Sequence, residues 1–300
     1  MRNKIKTSIY SLLSNINFYI LKFFTLLGIL ERKKINTFIV GTQKGGTSAL
    51  FEYLANSEQI SVAKQKELGY FHRRSINSKG VNWYEEQFFY SLLSKRDILV
   101  DATPEYLYYP NVAKDIFEYN KEAKIIIVLR EPVSRAYSHY TMFKNIPNDK
   151  SSFEQLKKRW KREGPRNQLL LDLMNKDVFP SFGDLINQEL KTSTKEYLEP
   201  SFLRRGFYFE QVKRYIDIFP KNNILILESS QLKNNKIETL NEVIEFLDIS
   251  NKFLENFDME DKHIGKYSEK IEIEDKKMLN DLYVQENEKL FNLIGKKFNW

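Results

Sequence analysis

One stretch constrains this chain more than any other: Thr37 to Leu54, TFIVGTQKGGTSALFEYL. An apolar run (Phe38, Ile39, Val40) meets a loop holding Gly41, Gly45 and Gly46. A hydroxyl pair, Thr47 and Ser48, then opens a segment with Leu50, Phe51 and Leu54 on one face. The pattern predicts a buried strand, a tight turn and a helix N-terminus. Such a turn aims unpaired backbone N–H groups and the positive end of a helix dipole at one point, which suits a phosphate or sulfate. Gly41 and Gly46 take the two glycine positions of G-x-x-x-x-G-K-[ST], but the lysine position holds Thr47. The loop's lysine, Lys44, is inside the turn, whereas an ATPase or GTPase needs its lysine after the second glycine to reach the β- and γ-phosphates. The loop therefore suits a donor whose transferred group lies elsewhere, with Lys44 pointing at it. The plain alternative is a glycine-rich turn with a solvated lysine.

From residue 36 onward, strands alternate with helices. Phe38–Val40, Ile98–Asp101, Lys124–Leu129 (KIIIVL) and Asn223–Leu227 (NILIL) read as buried strands, the third as the middle of a parallel sheet. Helical segments are expected at Ser48–Ala55, Val112–Tyr119, Arg135–Phe143, Phe207–Ile218 and Lys236–Leu247. The fold class is thus α/β: a P-loop-like, doubly wound, mostly parallel sheet flanked by helices, in a single domain over residues 36–300. Ligands in that architecture bind at the carboxyl ends of strands, where the Gly41–Thr47 loop falls. The charge-dense stretch Asn145–Lys195 reads as a helical excursion over the site.

Residues 1–35 differ. Ile9, Leu12, Leu13, Ile16, Ile20 and Phe23 begin a helical stripe that continues to Leu30, with basic residues at both ends. A spanning helix wants about 20 mostly uncharged apolar residues, and Lys22 interrupts this one. The favoured reading is an amphipathic helix lying on a membrane, with a weak anchor and a helix packed on the protein's own core as alternatives.

Composition narrows the chemistry. The net charge of +7 fits an anionic ligand or a membrane surface, and nothing points to nucleic acid. The absence of cysteine excludes disulfides, Cys-based zinc sites and thiol nucleophiles, and is compatible with a reducing cytoplasm. Three well-separated histidines (His72, His139, His263) argue against a His-rich metal site.

A second anion-binding cluster is Leu129 to Ser138, LREPVSRAYS. Arg130 ends a buried strand, Pro132 helps start a helix, and Ser138 follows one to two turns in. Arginine there is shaped for a bidentate phosphate contact, or else for a salt bridge to a neighbour such as Glu131. Two anion sites in one sheet imply a ligand with phosphates at both ends.

GTQKGGTSALFEYL, KELGYF (Lys66–Phe71), DATPEYLYYP (Asp101–Pro110) and IVLREPVSRAYSHY (Ile127–Tyr140) follow in this order. Together they resemble the nucleotide-dependent sulfotransferases, in particular the heparan-sulfate-type carbohydrate sulfotransferases and their bacterial relatives. The resemblance runs over roughly residues 36–300 and includes Gly206-Phe207-Tyr208 and the final LFNLIGKKFNW. It implies 3′-phosphoadenosine-5′-phosphosulfate (PAPS) as co-substrate, without a metal. Lys44, Gly45, Gly46, Thr47 and Ser48 would hold the 5′-phosphosulfate, and Arg130 and Ser138 the 3′-phosphate. Gly265 and Lys266 are candidates for a C-terminal nucleotide loop, and Tyr208 for a place near the donor. Lys44 would stabilise the leaving oxygen, and Glu67 in KELGYF would serve as general base, with His72 ranked second and His139 read as structural.

Two departures stand out: Gly69 and Ala102 occupy positions where family members often carry a histidine and a lysine. The implied acceptor is a hydroxyl (or an amine) of a carbohydrate or glycolipid. Arg73, Arg74, Arg204 and Arg205 could grip an acidic sugar; Tyr106, Tyr108 and Tyr109 could stack on one or be core. The competing readings are a P-loop kinase and a catalytically idle nucleotide-binding or membrane-associated protein.

Overall fold

The computed structural model describes residues 33–63, 65–88, 97–146, 150–162, 168–176, 178–191, 199–254 and 270–300, with Ile20, Phe23, Phe24 and Leu27. Five strands form one sheet: β1 (Thr37–Gly41), β2 (Ile60–Val62), β3 (Ile98–Ala102), β4 (Lys124–Leu129) and β5 (Ile224–Glu228). They lie in the order β2-β3-β1-β4-β5, and each neighbouring pair is parallel. The chain leaves β1 toward β2 at one edge and leaves β4 toward β5 at the other. Adjacent strands whose connections part in this way open a crevice at their carboxyl ends. The β1 and β4 loops, carrying Lys44 and Arg130, meet there.

The helices follow from the strand pattern. Successive residues of a strand face opposite sides, so both faces of a central strand must be apolar. On one side Phe38, Val40, Ile125, Ile127 and Leu129 pack against α2 (Val112–Tyr119) and α7 (Tyr208–Ile216), through Ile116, Val212 and Tyr215. On the other, Ile39, Ile126 and Val128 pack against α1 (Thr47–Ala55) and α8 (Lys236–Leu247), through Leu50, Leu54 and Val243. Each of these strand residues is fully buried, a contribution of about 1.5–3 kcal/mol per large side chain.

A third cluster lies off the sheet. It joins α3 (Pro132–Asn145) to α4 (Lys150–Arg162), α5 (Gln168–Met174), α6 (Phe182–Lys191) and α9 (Ile273–Ile294). Phe143, Trp160, Leu170, Ile186, Phe202 and Tyr283 are among its buried members. The excursion expected over Asn145–Lys195 is therefore helical, with an apolar heart of its own.

The strand β2 was not anticipated from the sequence, because ISV is too short to show alternation and polar residues flank it. The stripe over residues 1–35 lies for the most part outside the described residues. No helix among the described residues is long and apolar enough to cross a membrane.

Candidate active site

The glycine turn is fastened from below. Thr42 N–H donates to the Val128 carbonyl at 2.6 Å, and Gly45 N–H donates back to Thr42 O at 2.8 Å. A Cβ at residue 45 would stand 2.6 Å from Val128 O and 2.8 Å from Thr42 O, so only glycine lets the turn lie this close to β4. Lys44 (φ 69°) and Gly46 (φ 91°) are both left-handed, which reverses the chain into α1. Gly46 caps α1 without a side-chain hydrogen bond, so the first N–H groups of the helix remain for a ligand. The geometry of the turn is that of an anion cradle, and its residues fit the phosphosulfate end of the implied co-substrate.

The β4 loop completes it. Glu131 caps α3, its carboxylate accepting from Val133 N–H at 2.8 Å and Ser134 N–H at 2.7 Å. Arg130 is thereby not paired to Glu131; its Nη1 donates to the Lys44 carbonyl at 3.1 Å and ties the two loops together. Ser138 sits further along α3, buried. Beneath it Arg135 is wholly buried; Nη2 donates to Phe202 O, while Nε and Nη1 make no hydrogen bond among the described residues. His139, boxed by Phe143 and Phe202, has its pKa held well below the usual histidine range by burial and then by Arg135, Arg205 and Lys44. It is a neutral core residue under a positive floor.

Lys44, Gly46, Thr47, Ser48, Arg130, Ser138 and Glu67 all line one cavity of about 1170 Å³. Lys44 is half-buried there. Glu67 pairs with Lys66 at 2.7 Å, and its backbone is gripped by Ala102 O and by the Arg73 guanidinium. Gly45 lies under the turn, and Tyr208 lies behind the cavity wall: its hydroxyl donates to Arg130 O at 2.8 Å and its ring meets Trp300. Gly265 and Lys266 lie outside the described residues.

Other sequence candidates are part of the framework. Arg205 is buried in an ion pair with Glu199 and stacks on Tyr108. Arg204 is held by Glu189, and Tyr106 and Tyr108 are core. Arg73 pairs with Glu105 at 2.6 Å, and His72 flanks the same carboxylate at 3.4 Å while stacking on Tyr109. Glu105 lines the cavity, and the sequence reading passed over it. Burial raises its carboxyl, but Arg73, His72 and Arg205 outweigh that and hold it well below the ordinary carboxylate range. Its position after a Thr-Pro pair at the end of a buried strand was the available signal. Among the described residues no three histidine, aspartate or glutamate side chains group to hold a metal ion.

A parallel sheet with a glycine turn after β1 and an arginine after β4 defines a P-loop-like fold. The family model "Sulfotransferase domain" matches residues 34–292, and the chain belongs to that family, an enzyme family that uses PAPS as co-substrate. It is 27% identical to the membrane-associated sulfotransferase kil1 of Dictyostelium discoideum, covering 88% of this chain and 66% of that protein. It is 25% identical to the mouse heparan sulfate glucosamine 3-O-sulfotransferase 3B1, covering 87% of this chain and 64% of that one. The chain thus spans less than two thirds of the length of either relative. A sulfotransferase crystal structure from Alicyclobacillus acidocaldarius shares the fold, with a TM-score of 0.65 at 22% identity, over 89% of this chain and 98% of that one.

Proposed function

We propose that the chain transfers a sulfuryl group from PAPS to a hydroxyl of a carbohydrate or glycolipid acceptor. The observation that carries this is a single cavity lined by the glycine turn with Lys44, by Arg130 and Ser138, and by Glu67. The co-substrate supplies the sulfuryl group, and negative charge gathers on the phosphate oxygen it leaves.

Thr47, Ser48 and the N–H groups of α1 would hold the 5′ end; Arg130 and Ser138 would hold the 3′-phosphate. Lys44 is the half-buried cation of the turn, set to stabilise charge that develops in the transition state. Glu67 lines the same cavity and would accept the acceptor hydroxyl's proton as that oxygen bonds to sulfur. Tyr208 would act through Arg130, whose carbonyl it holds. Membrane association through residues 1–35 belongs to the same proposal, supported by the stripe they carry and by the name of one relative.

Calorimetry with 3′-phosphoadenosine-5′-phosphate, set against ATP with Mg²⁺, tests the donor. Binding of the first and not the second is expected. Preference for ATP would favour a kinase, and tight nucleotide binding without transfer to any hydroxyl would favour an idle protein.

A further inference from the structure

The loop that carries Glu67 also carries a cation, Arg73. Its backbone N–H donates to the Gly69 carbonyl at 2.9 Å, so the chain folds back on itself and brings the guanidinium beside Glu67, whose carbonyl accepts from Nη1 at 3.0 Å. Gly69 makes the room: a Cβ there would lie 2.7 Å from Arg73 Cδ and Nε. Arg73 lines the same cavity as Glu67. An arginine so placed has the shape to clamp a carboxylate or sulfate on an incoming acceptor.

Glu105 fills that role from within the protein. Its Oε2 accepts from Arg73 Nη2 at 2.6 Å and lies 3.4 Å from His72 Nε2. The Arg73 side chain is 7% exposed and that of Glu105 18%, so the pair is shielded from water while both members still reach the cavity. Burial works against the charge on Glu105, but Arg73, His72 and Arg205 keep it ionised. Glu199 also lines the cavity, and it belongs to the same group: it holds Arg205 and the Tyr109 hydroxyl, and the Tyr109 ring stacks on His72. Around the pair the lining thus presents the carboxylates Glu67, Glu105 and Glu199 with one guanidinium. Lys66 and Arg205, outside the lining, are paired to Glu67 and Glu199. An acidic sugar would have to take Arg73 from Glu105 and leave a shielded carboxylate beside a second negative group. Sugar hydroxyls meet no such cost, because carboxylates accept their hydrogen bonds and charge-assisted bonds of this kind are strong.

We propose that Glu105 is a specificity-determining residue: by occupying Arg73 it commits the region around Glu67 to a neutral, polyhydroxylated sugar and turns away one that bears a carboxylate or sulfate. The inference rests on Glu67 serving the acceptor hydroxyl, as proposed above, and narrows the acceptor class within that reading.

The test uses the full chain saturated with 3′-phosphoadenosine-5′-phosphate. It is titrated with methyl β-glucoside and with methyl β-glucuronide, which differ only in a hydroxymethyl group replaced by a carboxylate, and ligand-detected NMR gives the dissociation constants. The unaltered protein should bind the glucoside at least about tenfold more tightly than the glucuronide, since a like charge set beside Glu105 is disfavoured by that much or more. Glu105→Gln keeps the shape and withdraws the charge that matches Arg73, so the preference should reverse, with the glucuronide the tighter ligand. A Glu105 that only held the loop in place would weaken both sugars alike and leave their ratio where it was. Should Glu105→Gln fail to fold, the two sugars on the unaltered protein decide alone. Glucuronide binding as tight as glucoside binding in the unaltered protein, a ratio unmoved by Glu105→Gln, or binding of neither sugar overturns the proposal. Failure of 3′-phosphoadenosine-5′-phosphate to bind would instead defeat the donor reading, and the two sugars on the free chain would still decide the charge preference.

Discussion

Lys44 is the residue on which catalysis is expected to turn. It is left-handed at φ 69°, a conformation that costs a non-glycine residue about 1–2 kcal/mol and that alanine would share. Lys44→Ala therefore leaves the backbone strain as it is and removes the side chain beyond Cβ with its ammonium. Loss of one preorganised charge contact is worth about 3 kcal/mol, so turnover should fall on the order of 100-fold at an unchanged melting temperature. A single-turnover assay with a thermal melt checks both halves, and near-normal turnover would remove Lys44 from the chemistry. Gly45→Ala should act in the opposite manner: its Cβ would push the turn off Val128 O, lowering stability and 3′-phosphoadenosine-5′-phosphate affinity together. These two positions were legible because glycines and a lysine at fixed spacing between strand and helix have few structural uses. Gly69 was legible only as a departure. At φ 71°, with Arg73 Cδ 2.7 Å and His72 Cε1 2.8 Å from where a Cβ would lie, it is the glycine that lets those two side chains close on Glu105.

Among the elements, the loop from Glu67 to Arg73 and the end of β3 are locked by charge. The Arg73–Glu105 pair at 2.6 Å holds the loop that carries Glu67, and Asp101 at the strand end accepts hydroxyls from Tyr84, Thr103 and Tyr106. Because the folded pKa of Glu105 lies well below its ordinary value of 4.5, the pair contributes stability that is present above about pH 4.5. That contribution is lost as pH falls through the lower folded value. Glu105→Gln leaves Arg73 buried without its carboxylate, a loss of about 3 kcal/mol at pH 6. Urea midpoints of the two proteins should converge on acidification; a constant gap down to pH 3 would show that the pair is not what titrates. Tyr208→Phe tests the β4 loop. Burial pushes the Tyr208 phenol up to about 12, so it is a donor at neutral pH, and losing its bond to Arg130 O should lower stability by about 1 kcal/mol and weaken nucleotide binding severalfold. The sequence showed four of the five strands and the helix around each anion site, since long apolar runs and a proline-started helix are strong local signals. Glu105 escaped it because its partners, Arg73 and Arg205, are 32 and 100 residues away.

At the scale of the molecule, two clusters clasp the sheet and the third stands beside it, so something must join the third to the frame. That joint is α9. Leu279 and Tyr283 belong to the third cluster, and Leu290, two turns on, to the cluster on the α2 and α7 side. The Tyr283 hydroxyl donates to Leu203 O at 2.7 Å, and its ring meets Phe207 at the entrance to α7. A helix serving two cores has apolar residues on more than one face, which is why its periodicity alone did not declare its role. The helices of the excursion are built on the third cluster, whereas the glycine turn is built on the sheet, so the two depend on this strut in different degrees. Tyr283→Phe keeps the ring and removes one of two donors to the buried Leu203 carbonyl, the Gly206 N–H remaining at 2.9 Å, a loss of about 1 kcal/mol. The loosening should fall on the third cluster: hydrogen exchange should quicken in α3 through α6 while β1 and β4 keep their protection. Equal quickening in β1 and β4 would mean that the sheet and the excursion form one cooperative unit, with α9 an ordinary part of it.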